Sequence, residues 1–411
     1  MRTLTRRTWL AALAAAASAA DFRAEVRQIT FGPKHHHFFG YIGHVQNIPW
    51  NRTGRYMVAL RTAFQDRMPK PGEPADIVLL NTERNYAVEP VEQTQAWNFQ
   101  QGTMLYWNPH AAETQFFFND RDPRTNRVFC VLYDIVQRKR LIEFRYQDTP
   151  FGNGGVAQGG GHFLGLNYGR MARLRPVTGY SGVFDWTDEE PHPENDGLFR
   201  VDVKTRKATL IVSFRQLRDA IRPIEPSVDQ TPLFINHSLW NRDGDRIYFY
   251  ARGNFDDRPR RINVPFVVRP DGSSLTAQRV FIGGHPEWEV GARLIGDHDG
   301  RQVLYDTDRQ EIAGTLGEPD TFPNPGGDVA LSPDARWLVN GHSRGGTVYY
   351  TILRRGDGAW IRTPGFDNRG WDAGELRNDP APAWNRESNA FVFPSFGNDG
   401  TRQMFVMKIH G

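Results

Sequence analysis

Residues 234–250 read Phe-Ile-Asn-His-Ser-Leu-Trp-Asn-Arg-Asp-Gly-Asp-Arg-Ile-Tyr-Phe-Tyr. An apolar, β-rich run enters, ends at Trp240-Asn241, turns at Asp243-Gly244 and leaves as a second apolar run. Asp-Gly between two such runs is a strong hairpin signal. The phrase recurs along the chain. Residues 48–60 give Ile-Pro-Trp-Asn-Arg-Thr-Gly-Arg before Tyr-Met-Val-Ala-Leu. Residues 105–118 give Leu-Tyr-Trp-Asn, a polar turn, then Gln-Phe-Phe-Phe, and residues 383–393 give Ala-Trp-Asn-Arg-Glu-Ser-Asn before Ala-Phe-Val-Phe. Pro286-Glu287-Trp288 and the run from Leu331-Ser332-Pro333-Asp334 to Trp337 are weaker copies. The chain is therefore read as a repeat protein.

Around these hairpins, strand-like segments fall into seven groups, at about 41–90, 95–148, 160–215, 230–281, 283–318, 325–365 and 378–410. Units of roughly 40–50 residues with several strands each are the mark of a β-propeller. One such unit is too thin to bury both faces, so it must stack on its neighbours. The expected fold is all-β: one closed seven-bladed β-propeller over residues 21–411, with Trp50, Trp107, Trp240, Trp288 and Trp384 in equivalent places and the third group's place near Leu166. A strand near residues 26–31 is expected to complete the blade that ends the chain. The one helical hint is residues 214–221, and the glycine-rich residues 152–161 are read as a loop. That loop lacks Gly-Lys-Ser/Thr, which excludes a phosphate-binding loop.

Composition narrows the function. The 50 basic and 47 acidic side chains nearly balance and are scattered, which argues against nucleic acid. A single cysteine, Cys130, excludes a disulfide framework and a cysteine-based zinc site. It lies in a strand-like run and reads as a small buried hydrophobe. Residues 1–20 carry Arg6-Arg7 before an alanine-rich run with Ala17-Ser18-Ala19 behind it. The pattern is that of a twin-arginine export signal, too short to span a membrane, and it implies a periplasmic or secreted protein.

Aligning the repeats exposes candidate chemistry. His237 lies three residues before Trp240, His285 three before Trp288, and Asp328 three before Leu331. Equivalent positions in a propeller ring the central axis, so these side chains are expected to converge. Two imidazoles and a carboxylate suit Mn, Zn or Fe, with His342 as a fourth ligand; the alternative is the lining of a wet channel. Tyr168, Arg170 and His110 form a second candidate group, because an arginine, a tyrosine and a histidine can neutralise a carboxylate and move protons. Lys34-His35-His36-His37 is a further possible metal run, in which only alternate histidines share a side.

Several phrases resemble the seven-bladed propeller polysaccharide lyases, the oligogalacturonate and ulvan lyase group, and their TolB-like relatives. They are His36-His-Phe-Phe-Gly-Tyr41 leading to Pro49-Trp-Asn51, Ala96-Trp-Asn-Phe-Gln-Gln-Gly102, Asn119-Asp120, Leu166-Asn-Tyr-Gly-Arg170 and Gly284-His-Pro-Glu-Trp288. The resemblance implies an exported enzyme that cleaves an acidic, uronate-containing glycan by β-elimination. It implies that Arg170 or a divalent metal neutralises the carboxylate, that His110 or His237 is the base, and that Tyr168 is the acid. Asp328 stands where the resemblance would put a Gly-Gly-His phrase. The competing reading is a non-catalytic periplasmic propeller that binds a glycan or a protein.

Overall fold

The computed structural model describes residues 21–37 and 47–411. The export signal expected at residues 1–20 lies outside the described residues. The chain is an all-β β-propeller, built of antiparallel meanders that follow one another in sequence. Among the described residues there are six sheets: five of four strands and one of nine. The seven groups expected from the sequence do not give seven separate sheets. The reason is one parallel pair, His285 against Asp328, which fuses the meander beginning at Gly283–Trp288 to that beginning at Asp328–Leu331.

The Trp-Asn-Arg phrase has a physical role at each letter. The buried indoles reach back to the preceding meander: Trp107 Nε1 donates to Pro49 O at 2.7 Å, Trp240 to Gly155 O at 3.2 Å, Trp288 to Leu239 O at 2.9 Å and Trp384 to Ala330 O at 3.0 Å. The asparagine closes its own hairpin. Asn241 Oδ1 accepts from the N–H groups of Asp245 and Arg246, and Asn385 Oδ1 accepts from those of Asn389 and Ala390. The arginine reaches forward: Arg52 donates to Pro109 O at 3.2 Å, Arg242 to Pro333 O at 3.0 Å and Arg386 to Asn51 O at 3.2 Å. Between the meanders, aromatic and aliphatic side chains fill the gaps, as where Leu79, Trp97, Trp107, Phe116 and Tyr133 share one cluster.

Two expectations shift. The glycine-rich stretch is an innermost strand, Gly152–Val156, not a loop. Since Trp240 bonds Gly155 O, the third group's equivalent place falls at Val156 and not at Leu166. The strand expected near residues 26–31 lies slightly earlier, at Arg23–Gln28, and pairs antiparallel on Arg402–His410. The expected helix, Phe214–Ile221, forms behind a Ser213/Gln216 capping box. A second helix, Tyr168–Leu174, starts at an Asn167 cap and was not expected. No helix of the described residues is long and apolar enough to cross a membrane. Cys130 is buried, and burial pushes its thiol well above the ordinary range.

The indole bonds are expected to carry stability. Trp107→Phe keeps most of the ring but orphans Pro49 O, and should cost about 1–3 kcal/mol. Thermal or denaturant unfolding measures it; an unchanged midpoint would show that these bonds are incidental.

Candidate functional site

The inner strands bend at the aligned position. Met104, His237 and Ala381, each three residues before its tryptophan, have φ of 55°, 58° and 37°. Such left-handed backbone costs a residue with a Cβ on the order of 1–3 kcal/mol. At His237 it coincides with a bulge between Asn236 and Leu239, and in the next meander Gly284 takes φ 73° just before His285. These kinks turn His237 and His285 toward a cavity of about 250 Å³.

The cavity is dominated by positive charge. Arg175, Arg252, Arg261 and Arg377 line it, with Gln100, Gln101 and Asn236. Three of the guanidinium groups gather on one ring: Arg175, Arg252 and Arg261 lie 3.9, 4.5 and 4.4 Å from the centroid of Phe255. The π-face relieves part of their mutual repulsion. Arg252 Nε donates to Asn263 Oδ1 at 2.9 Å and Arg261 Nε to Phe255 O at 2.7 Å, both neutral acceptors. Arg377 is held by Asp379 at 2.9 Å. Arg175 Nε is buried with no hydrogen-bond partner among the described residues, and burial, aided by Arg252, pulls its guanidinium down to about 10. His237 is buried, and desolvation followed by Arg252 and His285 holds its imidazole well below 6.5, in the neutral form.

His285 and Asp328 do meet. His285 Nδ1 is hydrogen-bonded to Asp328 Oδ1, and Asp328 Oδ2 accepts the Ala381 N–H at 2.8 Å. The His237 and His285 rings lie 5.1 Å apart, inclined at 22°. The structure does not gather the expected metal set into one ligand group. Asp328 is spent on His285 and Ala381, which leaves two imidazoles where a site for Mn, Zn or Fe wants at least three protein ligands. His342 cannot supply the third. Asp328 faces Gly341 across the ladder, so the neighbouring His342 points to the opposite side, where it stacks on Tyr349 at 5.6 Å. Among the described residues no cluster of three or more His, Cys, Asp or Glu is placed to hold a metal ion.

The second expected group also takes other roles. Arg170 is fully buried, its guanidinium donating to the carbonyls of Thr187, Glu190, Pro191 and Leu233 and lying 4.4 Å over Phe214. Tyr168 is buried as well, stacked on Tyr180 at 4.2 Å, with its hydroxyl donating to Asn153 O at 2.8 Å. His110 is exposed on a one-turn 3-10 helix, Pro109–Ala111, and does not line the cavity. Of the four catalytic candidates only His237 is at the cavity. Arg173 forms a salt bridge with Asp185, whereas Arg175 turns inward. Arg252, Arg261, Arg377 and Phe255 went unremarked in the sequence. The basic run Arg258-Pro-Arg-Arg261 behind the second strand of the 234–250 hairpin was the available signal.

Comparison with solved structures agrees with the fold. An oligogalacturonate lyase in complex with manganese matches with a TM-score of 0.63 and 15% identity, covering 99% of this chain and 99% of that chain. TolB from Acinetobacter baumannii matches at 0.38 and 11% identity over 72% of this chain and 62% of that one. The WD40 repeats of RRP9 match at 0.47 and 9% over 98% and 100%. No family model and no curated protein matches the chain. The first likeness establishes a shared propeller fold.

Two outcomes follow. Arg170→Met should lower stability by about 3 kcal/mol or more, because each orphaned carbonyl costs about 1–3 kcal/mol, without changing any affinity the cavity has for an acidic oligosaccharide. Calorimetry with and without an oligouronide separates the two; lost binding at unchanged stability would restore Arg170 to the site. The buried His342 titrates at about 4 in the native chain against 6.5 unfolded, because desolvation disfavours its charge. Between those values the unfolded chain holds the extra proton, so stability should fall as pH drops from about 6.5 to about 4. Urea midpoints at both ends should show a smaller fall for His342→Gln.

Proposed function

We propose that this chain is an exported polysaccharide lyase that cleaves a uronic-acid-containing glycan by β-elimination in the arginine-lined cavity. One observation carries the reading: four guanidinium groups converge beside a histidine held neutral. β-Elimination asks for both. The C5 proton of a uronate becomes removable only when the C6 carboxylate is neutralised, because charge moves onto that group in the transition state. Arg175 and Arg252 supply the neutralising charge. Neutral His237 takes the C5 proton, the C5–H electron pair becomes the C4=C5 double bond, and the C4–O bond breaks. Phe281, exposed at the cavity, offers an apolar face to a sugar ring.

The same reading takes residues 21–411 as a single propeller domain of seven blades. Its nine-stranded sheet counts as two blades fused by the lone His285–Asp328 bridge. The pairing of Arg23–Gln28 on Arg402–His410 and the bond from Arg386 to Asn51 O support a closed ring. Export rests on the twin arginine at Arg6-Arg7.

A second reading is a non-catalytic propeller that binds acidic glycans in the same cavity. Its support is that neither Arg170 nor Tyr168 reaches the cavity. One experiment decides. Pectic, ulvan, alginate and glucuronan substrates are supplied, and the ultraviolet absorbance of an unsaturated uronate is followed beside binding calorimetry. The expected result is product from one substrate, with kcat reduced roughly 100-fold or more in His237→Ala and KM raised in Arg252→Ala. Binding without product from any substrate overturns the lyase and leaves the second reading.

A further inference from the structure

We propose that Asp328 is a positioning residue that fixes the tautomer and direction of His285, so that His285 serves the cavity as a proton donor without a metal. The inference rests on the lyase reading for its role in turnover, but the pairing itself stands apart from it. His285 and Asp328 are register partners in the single parallel pair between their meanders, so both side chains leave the ladder on the same side. The imidazole meets the carboxylate through Nδ1. The carboxylate is buried, at 3% exposure, and its other oxygen is fixed by the Ala381 N–H at 2.8 Å. That N–H is aimed by the left-handed backbone of Ala381, φ 37°. An ionised carboxylate only accepts, so Nδ1 must carry its hydrogen. Nε2 is then the nitrogen left for the cavity that His285 lines.

A carboxylate behind a histidine does two things. It holds the ring in one tautomer and orientation, and it steadies the imidazolium whenever Nε2 also carries a proton. The second imidazole complements this. His237 is kept neutral in part by the charges of Arg252 and His285, so the two rings have divided tasks. In the elimination, His237 takes the C5 proton while the imidazolium of His285 gives its Nε2 proton to the departing glycosidic oxygen as C4–O breaks. Solvent returns the proton from His237 to His285 after product leaves, so protons and charge balance. The charged groups in reach of this pair, from each element around it, are His237, Arg252, Arg175, Arg377, Asp328 and Asp379.

The geometry also bears on whether this pair would hold a metal. A carboxylate behind Nδ1 is a familiar support for a metal-bound histidine, but such a site needs further ligands in front. Here only His237 stands beside His285, and the charged side chains that line the rest of the cavity are arginines.

The test uses the full chain and does not depend on turnover. Nitrogen-15 NMR of the histidine side chains should show His285 protonated on Nδ1 in the native protein, with that signature lost in Asp328→Asn. Mn²⁺ added alone should leave the His237 and His285 signals unbroadened. Where a lyase substrate is found, Asp328→Asn should lower kcat about 10-fold or more with KM little changed, alter the alkaline limb of the pH–rate profile, and leave wild-type activity insensitive to EDTA. A His285 protonated on Nε2 but not on Nδ1, an unchanged tautomer in Asp328→Asn, or Mn²⁺ broadening of both histidines would each overturn the proposal. Absence of any lyase activity with the Nδ1 signature intact would overturn the lyase reading and the donor role, but not the pairing.

Discussion

The hydrogen bond from an inner-strand indole to the carbonyl of the preceding meander is the constraint on which this fold depends. A four-stranded meander has two large faces and cannot bury both by itself. Something must fix how each meander sits on the next, and apolar packing alone is indifferent to small slips. The indole supplies area and direction together. Its ring fills the gap between sheets, and its N–H reaches one carbonyl, as Trp288 does to Leu239 O at 2.9 Å. The arginine two residues on, in the Trp-Asn-Arg copies, ties the same hairpin forward, so the innermost strands are bound on both sides. Rigid inner strands are what let His237 be held in strained backbone. His237 at φ 58° keeps that conformation because Leu239 and Trp240, just beyond it, are both committed to neighbouring meanders.

The glycine-rich stretch shows the same constraint from the opposite side. Trp240 and Ser238 approach the third meander so closely that they bond its backbone, Ser238 Oγ to Gly154 O at 2.7 Å and Trp240 Nε1 to Gly155 O at 3.2 Å. A Cβ on residue 154 would lie 2.7 Å from Leu166 and 3.1 Å from Ser238 Oγ. Glycine is required there by proximity and not by flexibility, which is why a composition that reads as a loop folds as an innermost strand.

This contrast explains what was legible in the sequence. The hairpins were legible because their signal is local: β-rich runs around Asp243-Gly244, with an asparagine whose side chain closes the turn. The aligned trio was legible because repetition turns sequence offset into position around an axis, and His285 and Asp328 do touch. Their chemistry was not, since touching through Nδ1 uses up the carboxylate that a metal would need. Arg170 misled for a related reason. A motif places an arginine in sequence, but only the surrounding carbonyls of Thr187, Glu190, Pro191 and Leu233 show that its donors are already engaged. The cavity's arginines were illegible because they arrive from dissimilar places, Arg252 from a strand and Arg175, Arg261 and Arg377 from outside the strands, with no spacing in common.

That division of labour has a chemical logic. The strands carry the groups whose orientation must be fixed within a fraction of an ångström, the two imidazoles and the carboxylate behind one of them. Most of the charge comes from outside the strands, at Arg175, Arg261 and Arg377, and its effect falls off more gently with distance and tolerates movement. A long arginine there can follow an anionic ligand, and stacking on Phe255 keeps Arg175 and Arg261 together with the strand residue Arg252 before a ligand arrives. Preorganised positive charge of this kind acts most strongly on a group that gains negative charge during reaction, because no reorganisation is then required. The same cluster would hold a ground-state carboxylate as well. What separates a reactive site from a binding site here is therefore the histidine pair: His237 kept neutral by its surroundings, and His285 backed by a buried carboxylate.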